Sequence, residues 1–138
     1  MSSSSSTYAR LTNGGVDFVL EVVGGALVIR YWGRQIEGEF TDFPFERSVP
    51  HSDYDQVQTP GIMREHSRGW LGYPTISGHR SAKAWSTHFV LTQLTSTSQD
   101  FTATLEDSSA ELRLVYQGKL DNFGVLKTSL ELINLGDT

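Results

Sequence analysis

Apolar and polar residues alternate along both ends of this chain, and the alternation fails in the middle. In "VDFVLEVV", Val16, Phe18, Leu20 and Val22 fall on one face of an extended segment, because side chains two apart on a strand point the same way. Gly24 and Gly25 come next, and both accept the positive φ that a tight hairpin turn demands. "ALVIRYW" then reads as a second strand, rich in β-branched residues. Towards the other end, four more strands are expected over 86–95, 100–107, 111–120 and 122–134. Phe101, Ala103 and Leu105 share a face of one strand, and Leu112, Leu114 and Tyr116 a face of the next. Leu126, Leu130 and Leu132 share a face of the last, with Thr128 breaking the apolar row. Ser96–Gln99, Asp107–Ala110 and Gly118–Asn122 have turn compositions. The pattern predicts an all-β, antiparallel sandwich in which nothing from 86 to 134 needs a helix.

From Glu37 to Ala84 no period holds, and all four prolines, Pro44, Pro50, Pro60 and Pro74, lie there. So long an excursion from a compact domain is expected to be functional or covered by a partner. Short strands are expected within it near Phe40–Phe45 and Val57–Met63. Residues 1–12, with their serine run, read as a disordered lead-in; 13–138 read as the sandwich. The last strand runs to the terminus with no closing element, so the sandwich is expected to be incomplete.

Composition narrows the class. The chain has 138 residues, 38% hydrophobic and 20% charged, with a formal charge of −5 and no cysteine. This is a globular composition. The acidic balance points away from nucleic acid, which calls for a basic stripe. No apolar stretch is long enough to span a membrane. The absence of cysteine fits a cytoplasmic home, and the polar start lacks a signal-peptide core.

Few residues suggest chemistry. Asp53 with Asp55, and Glu106 with Asp107, are the acidic pairs. Neighbours on a strand face opposite ways, so Glu106 and Asp107 cannot serve one site. His51, His66, His79 and His88 show no metal-ligand spacing, and no nucleophile elbow or phosphate loop is present. No catalytic residue, metal or cofactor is expected. The aromatic and cationic side chains are the stronger feature: Tyr31, Trp32, Trp70, Tyr73 and Trp85, with Arg64, Arg68 and Arg80. Ring faces pack on the C–H faces of sugars, and guanidinium forks bind hydroxyl edges. Trp32 and Trp85, beside strands, are expected to be core-edge packing. Trp70 is either a plug over the sheet or a contact.

In order along the chain, "IRYWG" (29–33), "RGWLGYPTISGHR" (68–80) and "SLELINLGD" (129–137) resemble the N-terminal β-sandwich region of family 36 glycoside hydrolases, which include bacterial α-galactosidases. The resemblance covers roughly Asp17 to Asp137. It implies part of a larger supersandwich. It also implies a separate (β/α)₈ barrel domain carrying the catalytic aspartates, and a barrel alone takes ~250 residues. No residue here inherits a catalytic role. In oligomeric members a loop of this domain reaches a neighbouring subunit's active-site mouth, often as "G-D-F-R". Gly78 and Arg80 match its ends, while His79 replaces its acid–aromatic pair. The resemblance therefore implies substrate or subunit contact by Trp70, His79 and Arg80, with Tyr73 and Arg68 beside them. The expected partners are the barrel domain, an α-galactoside bound in a composite site, and further copies in a homo-oligomer. The alternatives are a free-standing carbohydrate-binding module and a β-sandwich protein-interaction domain.

Overall fold

A computed structural model describes residues 8–40 and 61–137. The order is β1 (Tyr8–Asn13), β2 (Val16–Val23), β3 (Ala26–Arg34), β4 (Val90–Ser96), β5 (Asp100–Asp107), β6 (Leu112–Leu120) and β7 (Leu126–Asn134). A 3₁₀ turn at His66–Arg68 lies between β3 and β4. The strands form two antiparallel sheets, β1-β2-β3 and β4-β5-β6-β7. The all-β sandwich expected from the alternation is what the chain forms.

Turn chemistry sets the registers. Gly14 and Gly15 close the β1–β2 hairpin and Gly24 and Gly25 close β2–β3, all at positive φ. The core lies where the sheets face: Leu11, Phe18 and Leu20 from one, Phe101, Leu105, Leu114 and Leu120 from the other, all at most 2% exposed. Each such side chain contributes roughly 2–3 kcal/mol relative to leaving it in water. Phe18 stacks on Phe101 at 5.8 Å between ring centres, and Phe101 meets Tyr116 at 5.1 Å. A Cβ on Gly118 would lie 2.2 Å from Phe101, so this position has room only for a hydrogen.

Two expectations are corrected. The lead-in over 1–12 reaches too far: Tyr8–Asn13 is β1, an edge strand whose Leu11 is fully buried. Its pairing with β2, from Tyr8 opposite Glu21 to Asn13 opposite Val16, supplies the order that its own short pattern does not announce. β1 also brings Arg10 to the fully buried Asp17, 2.7 Å away. Arg10 donates as well to the Ile36 and Gly38 carbonyls, which lays residues 36–38 along the outer face of the small sheet. Burial alone would raise the Asp17 pKa. Hydrogen bonds from Arg10, the Ile36 N–H and Thr12 outweigh it and hold the carboxyl below its ordinary range. Second, the strand expected over 86–95 begins only at Val90. Met63 is core but in no strand. The rest of the two short strands expected in the excursion, apart from Phe40 and 61–62, lies outside the described residues, as do Asp53, Asp55 and His51.

Candidate functional site

The chain from 61 to 89, which holds most of the described part of the excursion, contains no strand but is held at many points. Ile62 N–H donates to the Leu27 carbonyl, and Arg64 N–H to Thr75 Oγ1. Its firmest anchor is Glu65 with Arg68. Arg68 Nε donates to Glu65 Oε2 at 3.0 Å, and its remaining nitrogens reach the Gly24 and Phe89 carbonyls. Glu65 Oε1 accepts the Phe89 N–H at 2.8 Å. Arg68 is thereby corrected from a contact residue to an interior one. With only 6% of its side chain exposed, it staples the loop to the β2–β3 turn and the approach to β4.

Beyond the staple the chain makes a second tight turn. Arg80 and Lys83 exchange backbone hydrogen bonds of 2.8 Å, with Ser81 and Ala82 between them at φ 47° and 60°. Two central residues at positive φ are the signature of a type I′ turn, normally filled by Asn-Gly. Ser-Ala carries no such signal, so the turn is invisible in sequence. Ala84, at φ 52°, is strained likewise. The turn is braced by side chains: Ala82 N–H donates to His79 Nδ1, and Trp85 Nε1 donates to the Ala82 carbonyl. These bonds bring the His79 and Trp85 rings together, 4.3 Å between centres.

The turn borders an open cleft of about 400 Å³ between the loop and the β5–β6 end of the large sheet. Ile76, Trp85 and Leu112 supply apolar surface, and His79, Arg80 and Thr87 supply polar groups. Trp85 is 66% exposed, so the expectation that it is core-edge packing is corrected; its face is open. Trp32 is also exposed, at 61%, although its ring meets Phe18 edge-on. Arg80 is fixed from several sides: Nε donates to the Ala110 carbonyl at 2.8 Å, one terminal nitrogen to Asn134 at 2.6 Å, and Glu111 stands 3.5 Å from Nε. An arginine so held keeps its guanidinium in one orientation.

The sequence candidates separate into two groups. His79 and Arg80 line the cleft. Trp70 and Tyr73 sit on the preceding loop, where Trp70 Nε1 donates to the Tyr73 carbonyl and Arg64 stacks over the indole at 4.9 Å. Tyr73 itself is 96% exposed. Trp85 is the cleft residue that sequence reasoning undervalued. The two acidic candidates among the described residues, Asp107 and Glu106, hold the backbone or pair elsewhere. Asp107 is buried and accepts from the His88, Ser109 and Ala110 N–H groups. Burial would raise its pKa, but those donors bring it below the ordinary range. Glu106, on the other face of β5, is paired with Arg113. Among the described residues no Asp or Glu lines the cleft, although Glu111 stands 3.5 Å from Arg80 Nε. Among the described residues no cluster of three metal-ligating side chains occurs, and no helix is long and apolar enough to cross a membrane.

The fold is an antiparallel β-sandwich with a cleft beside its long loop. Residues 25–138 match the family model described as the glycosyl hydrolase family 36 N-terminal domain. The chain belongs to that family, as its N-terminal domain. It is 30% identical over 133 residues to an α-galactosidase of Escherichia coli, covering 94% of this chain and 18% of that protein. Among solved structures it is similar to the family 36 α-galactosidase AgaA of Geobacillus stearothermophilus, in complex with 1-deoxygalactonojirimycin. The TM-score there is 0.67 at 14% identity, over 92% of this chain and 22% of that one. The chain thus spans about a fifth of the length of each protein.

Proposed function

We propose that this chain is a non-catalytic N-terminal domain of an α-galactosidase-like glycoside hydrolase that acts in the cytoplasm. Retaining hydrolysis of terminal α-galactosides is then the work of a barrel elsewhere in the enzyme. The observation that carries the reading is the cleft itself, which gathers an indole, a histidine and a braced arginine. What the cleft offers is recognition. Trp85 faces the apolar side of a pyranose and His79 and Arg80 its hydroxyls. In the assembled enzyme the 68–85 loop lines the mouth of the active site and completes a composite sugar site.

The open face of Trp85 favours one second reading, a carbohydrate-binding module that works alone. Titration calorimetry of the chain with galactose and raffinose separates the two. Half of a composite site gives no measurable heat. Millimolar or tighter binding that disappears in Trp85→Ala selects the module.

A further inference from the structure

His66, His79 and His88 lie among the described residues, and their hydrogen bonds answer differently to a proton. His66 Nε2 stands 2.9 Å from the Gly72 carbonyl. A carbonyl only accepts, so that nitrogen carries hydrogen whether the ring is neutral or charged. His88 Nδ1 stands 3.0 Å from Ser67 Oγ, whose single proton goes to the Thr87 carbonyl at 2.6 Å. His88 therefore donates too, and a charged ring keeps the bond. His79 is the reverse case. Its Nδ1 stands 3.1 Å from the Ala82 N–H, and a backbone N–H only donates. Nδ1 must offer its lone pair, so the neutral ring carries its proton on Nε2. A second proton has only Nδ1 to go to, and it ends this bond.

What the bond supports is a turn with no favourable residues of its own. Arg80 and Lys83 exchange backbone hydrogen bonds around Ser81 and Ala82, and Ser81, Ala82 and Ala84 all sit at positive φ. A left-handed backbone is unfavourable for every residue with a Cβ, so the turn depends on side chains to hold it. His79 takes the Ala82 N–H and Trp85 Nε1 reaches the Ala82 carbonyl. The His79 ring also lies 4.3 Å from the Trp85 ring, centre to centre, and a cation is attracted to an indole face. A proton on Nδ1 therefore leaves the imidazolium on Trp85, while the Ala82 N–H loses its acceptor. Other charged groups lie near His79. Arg80 and Lys83 share its loop, and Glu111 of the β5–β6 turn stands 3.5 Å from Arg80 Nε. Arginine and lysine stay charged from about pH 5 to 8, and ordinary carboxylates take up protons below that range. Histidine is the side chain that changes charge within it.

We propose that His79 is a proton-operated catch on the 80–83 turn. Neutral, it braces the strained turn through Nδ1. Charged, it lets go of Ala82 and the turn relaxes. The turn borders the cleft, so the same proton loosens one wall of it. The parts of the catch, His79, Ala82 and Trp85, lie within seven consecutive residues. The inference rests on this geometry and not on the functional reading.

Amide hydrogen exchange followed by NMR at the two ends of that pH range tests it, each rate being corrected for the intrinsic pH dependence of exchange. Protection of the Arg80, Ala82 and Lys83 amides is expected to fall about two- to tenfold at the acid end, the size of one net hydrogen bond. The β5 and β6 amides are expected to keep theirs. In His79→Asn the side-chain Oδ1 stands in for Nδ1 and takes up no proton, so protection at the turn is expected to be the same at both ends. A wild-type turn equally protected at both ends overturns the proposal. So does a fall of the same size in His79→Asn, or one shared equally by the β5 and β6 amides.

Discussion

Arg68 and Glu65 form a charge pair inside the protein, Nε to Oε2 at 3.0 Å with 6% and 2% of their side chains exposed. Between them they bond the Gly24 carbonyl and both backbone groups of Phe89. Removing one partner leaves the other charge buried and unsatisfied, which costs about 3–5 kcal/mol. Arg68→Ala and Glu65→Ala are each expected to lower stability by that much in urea unfolding. The joint replacement Glu65→Leu with Arg68→Met is expected to cost less than the sum, because no lone charge remains.

Acid sensitivity follows from Asp17 and Asp107. Both carboxyls have folded pKa values below the ordinary 3.8, since hydrogen-bond donors outweigh their burial. A depressed carboxylate pKa means that the unfolded chain takes up protons first as pH falls. The stability these groups contribute is therefore complete above about pH 4–5 and drains away below it, down to their folded pKa values. Thermal melts are expected to be level from neutrality to that range and then to fall. Asp17→Asn should shallow the acid decline while lowering stability at pH 7 by about 3 kcal/mol, because Arg10 loses its buried partner.

Ala82 holds a left-handed backbone, φ 60°, beside the equally strained Ser81. Such a conformation costs an L-residue roughly 1–2 kcal/mol that glycine does not bear. Ala82→Gly is expected to raise the melting temperature slightly while preserving the His79–Trp85 contact. Tryptophan fluorescence in a Trp32→Phe, Trp70→Phe background, where Trp85 is the remaining indole, checks the second half. Gly118→Ala should act the other way, by about 1–3 kcal/mol, because its Cβ would strike Phe101, which stacks between Phe18 and Tyr116.

Particular residues show what the amino-acid sequence makes legible. Phe18, Leu20, Phe101, Leu105 and Leu114 lie in the core, as their alternation predicts, since a strand's period of two is local information. β1 escapes because only Ala9 and Leu11 mark it, and its order comes from pairing with β2. The Arg80–Lys83 turn escapes because Ser-Ala is an unfavoured filling, stabilised by His79 and Trp85 rather than by its own propensity. Arg68 misleads because its partners include Gly24 and Phe89, 44 and 21 residues away. His79 and Arg80 do line the cleft; what draws attention to them in sequence is the family motif rather than any period.

The central claim is that this domain recognises without cleaving. Incubating the purified chain with an aryl α-galactoside and following phenol release tests it most directly. The account predicts no turnover above buffer, and none gained or lost in Trp85→Ala. Hydrolysis that follows the pure chain through successive columns, and that vanishes when one of its own aspartates is replaced, would contradict it.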